Sequence, residues 1–125
     1  MKTRNEHPYD ALDRIFHEPN RLAIVSTLAG AEEGLPFTEL REACRLTDGN
    51  LNRHLKTLEE AGIVRIRKAF VDGKPRTTVH ATRAGLDRFA EYLETLSAVL
   101  RHARGALKAE AGADAALPAG HAVRA

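Results

Sequence analysis

Cysteine and long apolar runs are scarce in this 125-residue chain, and each shortage excludes a class of protein. Cysteine occurs once, at Cys44, so an internal disulfide is impossible and a reducing, cytoplasmic location is expected. No apolar run approaches the roughly 20 residues that a membrane-spanning helix needs. The polar N-terminus also lacks the apolar core of a signal peptide. The sequence therefore predicts a cytoplasmic protein with no membrane contact.

Motifs of catalysis and cofactor binding are missing as well. The sequence has no glycine-rich phosphate loop, no nucleophile beside a paired base and no recognisable pair of catalytic carboxylates. We therefore expect neither an enzyme nor a cofactor. A soft-metal site needs several thiolate or imidazole ligands at fixed spacing. The chain offers Cys44 and the scattered histidines His7, His17, His80 and His102.

Positive charge, in contrast, is concentrated in the middle of the chain. Residues 41–83 contain ten Lys and Arg against five Asp and Glu, an excess of +5. The remaining residues contain nine against twelve, or −3, which together give the formal net charge of +2. Charge gathered in one segment indicates a polyanionic partner. The length suits one domain with a modest core.

Apolar spacing and capping residues predict a mainly α-helical chain with a small β-hairpin, an α+β fold. The domain organisation is a loose arm at 1–9, a folded domain at 10–82, a long helix at 83–108 and a tail at 109–125 that we expect to be disordered. Inside the folded domain, the expected helices are Tyr9–Phe16, one from Pro19 to Gly30, one capped by Thr38 and ending near Arg45, and one capped by Thr47 and ending at Gly62. The AEEGLP segment after Gly30 is expected to be a turn.

A hairpin and a final helix follow. Strands are expected at Ile63–Val71 and Thr77–Ala81, with Asp72-Gly73 as the turn between them. Thr82 is expected to cap the long helix, which runs to about Lys108. Two helices joined by a tight turn and followed by a hairpin are the arrangement of a winged helix-turn-helix.

The helix from Thr47 to Ala61, the predicted recognition helix, has an apolar rear and a polar, cationic front. Leu51, Leu55 and Leu58 share one face and must pack on the domain. The front offers groups that bind base edges, since Arg pairs with guanine and Asn with adenine. The predicted DNA-binding residues of this helix are Thr47, Asp48, Gly49, Asn50, Asn52, Arg53 and Lys56. We expect His54, beside the leucines, to be a buried, hydrogen-bonded residue.

The hairpin is expected to be a basic wing. Val64 and Ile66 alternate with Arg65 and Arg67, so one strand face should be buried and the other cationic. Near its tip, cationic side chains could reach phosphates or an adjacent minor groove. The predicted DNA-binding residues of the wing are Arg65, Arg67, Lys68, Lys74 and Arg76. The alternatives are an ordinary solvated helix face and, for the strands, charges that protect an edge from aggregation.

The final helix carries an unbroken heptad seam, with apolar residues spaced alternately three and four apart. The seam consists of Leu86, Phe89, Leu93, Leu96, Leu100, Ala103 and Leu107. About 25 residues span some 37 Å, more than a small core covers. The sequence therefore predicts a two-fold homodimer through this helix, with recognition helices in successive major grooves of an inverted repeat. Packing on the chain's own first helices is the alternative, and it explains the start of the seam better than its end.

Four segments resemble winged-helix transcriptional regulators of the MarR/ArsR-like group. They are HEPNRLAIVSTL, FTELREAC, LTDGNLNRHLKTLEEAGIV and TRAG, and the similarity covers about Asp10 to Leu107. The resemblance implies a homodimeric regulator of double-stranded DNA, often a repressor, with positions 48–53 at the major groove and 74–76 on the wing. Resemblance to MarR-type proteins also suggests a small-molecule effector between the long helix and the DNA-binding domain, but the sequence defines no residues for it.

The chain departs from the metal-sensing members of that group at Cys44. Those members carry the paired-cysteine box ELCVCD before the recognition helix, whereas this chain has ELREAC. We therefore expect no metal site and a structural Cys44, with an intersubunit disulfide as the alternative. A second hypothesis for the whole chain is a winged-helix module that binds another protein and no operator.

Overall fold

The computed structural model describes residues 8–113 of the chain. Within that range lie a 3-10 turn at Pro8–Ala11, helices α1 (Pro19–Ala29), α2 (Phe37–Cys44), α3 (Asp48–Glu60) and α4 (Arg83–Ala113), and strands β1 (Leu35–Pro36), β2 (Val64–Val71) and β3 (Lys74–Ala81). The predicted fold class is confirmed, because a small antiparallel sheet and a long C-terminal helix accompany three shorter helices. The predicted arm up to residue 7, with His7, and the predicted tail from residue 114 lie outside the described residues.

The segment before α1 differs from the predicted Tyr9–Phe16 helix. After the 3-10 turn, the Asp13 carboxylate accepts a hydrogen bond from the Ile15 backbone N–H at 3.3 Å. Such local bonds compete with helical hydrogen bonding, which explains why the prediction was wrong. Phe16, at the end of this segment, is fully buried.

The first contacts of α1 follow the predicted chemistry. Pro19 is its first residue, where the missing backbone N–H costs nothing. The Glu18 carboxylate caps the helix by accepting the Arg21 backbone N–H at 2.7 Å. Gly30 follows the last helical residue and bonds back to the Thr27 and Leu28 carbonyls.

Helices α2 and α3 form the helix-turn-helix, with one correction at its start. Helix α2 begins directly after Pro36 and has no side-chain cap, so the predicted cap at Thr38 was wrong. Arg45, in the left-handed conformation with φ of 57°, ends α2 and turns the chain. The predicted cap of α3 is confirmed, since the Thr47 hydroxyl accepts the Asn50 backbone N–H at 3.1 Å.

The sheet has three strands in the order β1-β3-β2, one more than predicted. The predicted turn AEEGLP contains β1, whose residues Leu35 and Pro36 pair with Val79 and Thr78 of β3. This pairing, rather than a side-chain cap, fixes the start of α2. The hairpin turn at Asp72 and Gly73 is as predicted, with φ of 53° and 75°, values typical of a type I′ turn. Strand β3 begins at Lys74, three residues before its predicted start.

One hydrophobic core joins the helices to the sheet. Its fully buried side chains come from every helix and from β3, and include Phe16, Ile24, Val25, Leu28, Leu40, Leu51, Leu55, Leu58, Ile63, Val79 and Tyr92. The three leucines of α3 lie in it, as predicted. On α2, Leu40 is buried while Ala43 is exposed.

Helix α4 starts at the predicted cap and runs farther than expected. The Thr82 hydroxyl accepts the Gly85 backbone N–H at 2.8 Å and donates to the Gly62 carbonyl at 2.6 Å. The helix ends at Ala113, so residues 109–113 of the expected tail are helical. Its 31 residues span about 46 Å at 1.5 Å each. Among residues 8–113, no helix combines the length and apolarity needed to cross a membrane.

Candidate nucleic-acid interface

Helix α3 is divided into a buried rear and an exposed front. Leu51, Leu55 and Leu58 anchor the rear in the core. The predicted DNA-binding residues of the helix are all exposed: Thr47, Asp48, Gly49, Asn50, Asn52, Arg53 and Lys56. A Cβ placed on Gly49 would have no heavy atom within 4 Å. The front of α3 is therefore open to a large ligand, and contact of these residues with DNA stays a prediction.

Hydrogen bonds hold two of these side chains before any ligand arrives. The Arg53 guanidinium donates to the Asn50 side-chain oxygen at 2.9 Å, one helical turn away. Asn50 also contributes the backbone N–H that Thr47 caps. A guanidinium anchored at one nitrogen keeps its other donors for a base edge. The Asn50–Arg53 pair is thus partly ordered for bidentate binding, which lowers the entropic cost of contact.

An arginine that sequence reasoning missed lies beside the start of α3. Arg41 of α2 donates to the Asp48 carboxylate at 2.8 Å, and this bond raises the pKa of Arg41. It also contacts Glu42 at 3.5 Å. No pattern in the sequence indicates this ion pair, because Arg41 and Asp48 are seven positions apart and a turn lies between them. The ion pair joins α2 to the N-terminus of α3 and places a positive charge beside the Asp48 carboxylate at the front of α3.

His54 is buried on the rear of α3, as predicted. Its Nε2 lies 3.5 Å from the Asn20 side-chain nitrogen and its Nδ1 lies 4.0 Å from a Glu18 carboxylate oxygen. Burial is the largest influence and lowers the pKa of His54, while Glu18 opposes the change. The side chain therefore joins α3 to the start of α1 and takes no part in the exposed front.

The wing carries its charges on both sheet faces, which the sequence prediction did not separate. Cross-strand partners share a face, and β2 pairs with β3 from Val64–Ala81 to Val71–Lys74. One face therefore holds four cations, Arg65, Arg67, Lys74 and Arg76. Lys68 lies on the other face, with the half-buried Ile66, because alternate residues point to opposite sides.

Lys68 lines a cleft between the wing and α3. The cleft has about 290 Å³ and is lined by Lys68 and Thr77 of the hairpin, Asn52 and Leu55 of α3, Phe37 and Ile66. Lys68 and Asn52 thus face one recess between the helix and the wing. The structure brings the front of α3 and the Lys68 face of the wing together. The other four wing cations, Arg65, Arg67, Lys74 and Arg76, lie on the far side of the sheet.

The heptad seam of α4 divides between two environments. Phe89 is only 6% exposed and stacks on Tyr92 in the core, and Leu96 packs against the core too. Leu93, Leu100 and Leu107, seven residues apart, are 42%, 45% and 69% exposed. We name these three side chains the leucine ridge. Phe89, predicted to lie in a dimer interface, is therefore buried within its own chain, and the exposed part of the seam is narrower than predicted.

Tyr92, which the sequence analysis overlooked, also lines a cleft between α1 and α4. The cleft has about 340 Å³ and is bounded by His17, Glu18, Pro19, Leu22, Tyr92 and Leu96. The Tyr92 hydroxyl and His17 Nδ1 share a hydrogen bond of 2.8 Å at its side. Its volume is at the small end of the range for ligand sites, about 300–1,000 Å³. A small-molecule effector stays a prediction.

Cys44 is half-buried and its surroundings suit a structural role. Its Sγ lies 3.9 Å from the Thr27 hydroxyl, and burial raises the pKa of the Cys44 thiol. A raised pKa lowers the thiolate fraction and with it the reactivity. Within residues 8–113, no three His, Cys, Asp or Glu side chains are grouped so as to hold a metal ion.

Comparison with known proteins gives this architecture a family. Residues 20–100 match the family model of the winged helix DNA-binding domain. Over 80 residues the chain is 39% identical to an uncharacterized protein of Methanocaldococcus jannaschii. The matched segment covers 64% of this chain and 86% of that protein. The match agrees with the prediction that the chain is not an enzyme, since the family is a DNA-binding domain.

Solved structures have the same fold. A transcriptional regulator homologue from Pyrococcus horikoshii OT3 is similar with a TM-score of 0.71 and 31% identity, covering 76% of this chain and 95% of that one. A MarR-family regulator from Silicibacter pomeroyi is similar with a TM-score of 0.55, 16% identity and coverage of 92% and 82%. The second likeness shows the fold alone.

Proposed function

This chain belongs to the winged helix DNA-binding domain family, and we propose that it is a homodimeric transcriptional regulator that binds an inverted-repeat operator. The observation that carries the proposal is the exposed front of α3, which holds the Asn50–Arg53 pair and whose Asn52 lines a recess shared with Lys68 of the wing. The similarity to the regulator homologue from Pyrococcus horikoshii supports a role in transcription.

The front of α3 has the chemistry for direct contact with base edges. A helix of this kind enters the major groove with its N-terminal residues foremost, which favours Asn50, Asn52 and Arg53. Arginine donates two hydrogen bonds to guanine, and asparagine pairs bidentately with adenine. The exposed N-terminus of α3 and the wing cations would meet phosphates, which add affinity and salt dependence but little sequence preference.

The leucine ridge supports the dimer. Leu93 and Leu107 are fourteen positions apart, about 21 Å along the helix, and the three exposed leucines recur every seven residues. Such spacing suits a second helix of the same kind, and a two-fold axis makes the same surface serve both copies. Two copies would present their α3 helices to major grooves about 34 Å apart. Occupation of the operator would block polymerase, which makes repression the proposed outcome.

Selection of bound duplexes from a random pool tests the proposal. We expect recovered sites to be inverted repeats with half-sites about one helical turn apart. In a gel-shift assay with a recovered site, Arg53→Ala should lower discrimination against unrelated DNA by about 1–3 kcal/mol per half-site, without unfolding the protein. Arg14→Ala is the matched control, because Arg14 is exposed in the segment before α1.

Two results would contradict the proposal. Arg53→Ala could retain full discrimination, which would exclude α3 as the source of sequence preference. Alternatively, the wild type could be monomeric at micromolar concentration and ignore DNA at low salt. That second result would favour the competing hypothesis, in which the exposed leucine ridge binds a different protein.

A further inference from the structure

The tip of the wing exposes an apolar side chain among cations. Phe70 is 76% exposed, more than any other large hydrophobic side chain among the described residues. Its cross-strand partner is Pro75, which is exposed as well. A single exposed hydrophobic residue is ordinary. Here, however, two paired apolar residues lie at the end of a basic hairpin, next to the proposed DNA-binding helix. A ligand for this tip must accept both apolar side chains and positive charge.

Phe70 lies on the face of the wing that is turned toward α3. Alternation along β2 places Ile66, Lys68 and Phe70 on one side of the sheet. Ile66 and Lys68 line the recess that includes Asn52 of α3. Phe70 is two residues farther along, about 7 Å beyond Lys68. It therefore extends outward from the proposed DNA-contacting surface rather than from the back of the sheet.

The charges near Phe70 identify its partner. Lys68 precedes it on the same face, and Lys74 and Arg76 flank Pro75 on the neighbouring strand, with their side chains on the opposite face. Asp72, in the turn, is the one acidic residue from 68 to 76. Cations thus lie on both faces of the hairpin tip, and a protein that enclosed the tip would have to neutralise all three of them. The minor groove of DNA supplies both requirements, since apolar sugar walls line it and phosphates border it on each side.

We propose that Phe70 enters the minor groove beside the half-site that α3 contacts, with Lys68, Lys74 and Arg76 on the flanking phosphates. Apolar side chains are known to insert there and to open base steps. The proposal rests on the proposed function, because it requires that the chain bind duplex DNA. It adds a contact that depends on apolar surface, so its strength varies little with salt.

Two adjacent residues provide a matched pair of variants. Phe70 and Val71 are neighbours in β2, both exposed and both apolar, but they lie on opposite sheet faces. We expect Phe70→Ala to weaken binding to a selected duplex at least about tenfold, as loss of a buried aromatic contact would. Val71→Ala should change it less than about twofold. Phe70→Leu should retain most of the affinity, because leucine also inserts between base steps.

Salt dependence separates the apolar contact from a charged one. Phe70→Ala should leave the slope of log affinity against log salt unchanged. Lys74→Ala should reduce that slope by about 0.9, the value for one lost phosphate contact. Circular dichroism of each variant checks the fold, and the exposed position of Phe70 makes unfolding unexpected.

Inosine shows which groove is involved. Replacing guanine by inosine removes the amino group from the minor groove and leaves the major-groove edge unchanged. Inosines in the flank should therefore change the affinity of the wild type but not that of Phe70→Ala, a coupling that a double-mutant cycle measures. Equal losses for Phe70→Ala and Val71→Ala, or no coupling to inosine, would overturn the inference while wild-type binding persists. Absence of wild-type binding at low salt would instead defeat the proposed function.

Discussion

Two sides of helix α4 both carry apolar side chains but have very different surroundings. Phe89 and Tyr92 pack against Phe16 with ring centroids 5.2 and 5.5 Å away, and their side is part of the core. The leucine ridge, displaced around the same helix, faces outward over its whole length. A heptad pattern therefore establishes that a helix has an apolar stripe, but the partner of that stripe depends on how far the core reaches.

The two sides of α4 differ because the helix is longer than the winged-helix body that packs against it. The winged-helix body, residues 10–82, supplies one turn-rich N-terminal segment and helix α1 to cover α4. The core packs against α4 as far as the half-buried Leu96, and Tyr9 contacts His102 with ring centroids 5.9 Å apart, while α4 continues to Ala113. Leu100 and Leu107 lie beyond Leu96, and Leu93 points away from the core, so all three are exposed unless another surface covers them. Variants of the two sides should thus act on two different equilibria, unfolding and association.

Removal of a core ring should have the largest effect. Phe89→Ala deletes a ring that contacts Phe16 and Tyr92, so we expect the free energy of unfolding to fall by about 3–5 kcal/mol. Leu107→Ala, on the ridge, should leave the unfolding of the body almost unchanged. Urea unfolding followed by circular dichroism at two protein concentrations measures both. A loss for Leu107→Ala as large as that for Phe89→Ala would contradict the division of α4.

Charge on the ridge should separate the subunits. The double variant Leu100→Lys, Leu107→Lys places like charges where each copy would bury two leucines. We expect the dimer dissociation constant to rise at least about 100-fold, since each buried leucine contributes about 1.5–3 kcal/mol. Sedimentation equilibrium measures the association. The double variant Arg101→Ala, Arg104→Ala, on exposed positions of the same segment, is the control.

Two glycines of α4 should respond to the same substitution with stability changes that are smaller and opposite in sign. A Cβ on Gly85 would lie 2.7 Å from the Ile63 Cα and closer still to its carbonyl oxygen, whereas a Cβ on Gly105 would meet nothing within 4 Å. Gly85→Ala should therefore destabilise the fold by about 1–3 kcal/mol. Gly105→Ala should stabilise helix α4 by about 0.5–1 kcal/mol. Thermal unfolding distinguishes the signs, and two changes of the same sign would show that α4 docks differently.

Much of this architecture could be predicted from interactions between residues that are close in the sequence. Thr47 caps α3, Asp72 and Gly73 form the turn, and Gly62, with φ of 78°, ends the helix region as predicted. Each of these features depends on residues within a few positions of one another, so the local sequence is enough to predict it. The amphipathic division of α3 was predictable for the same reason.

Features that depend on distant partners were missed. Strand β1 has only two residues and exists because they pair with β3, more than forty positions later. The ion pair between Arg41 and Asp48 and the burial of Tyr92 likewise depend on how helices pack. Periodicity placed Lys68 in the wing, but only the observed register showed that it faces α3.

Acid should act on the body and not on the leucine ridge. Burial lowers the pKa of His54 below its ordinary value of 6.5, with a further fall from Arg53 and Arg21 and an opposing effect from Glu18. Below about pH 6.5 the unfolded chain binds a proton that the folded protein does not, so the free energy of unfolding should decrease as the pH falls.

This decrease has a limited size and a specific control. One proton gives a slope of at most about 1.4 kcal/mol per pH unit, and the slope should vanish once the folded His54 is protonated too. His54→Gln removes the titration, so urea unfolding of the variant should depend less on pH between about 6.5 and 5 than that of the wild type. Parallel curves for the two proteins would show that His54 titrates alike in the folded and unfolded states. The ridge leucines carry no titratable group, so the same substitution should not alter how dimerisation depends on pH.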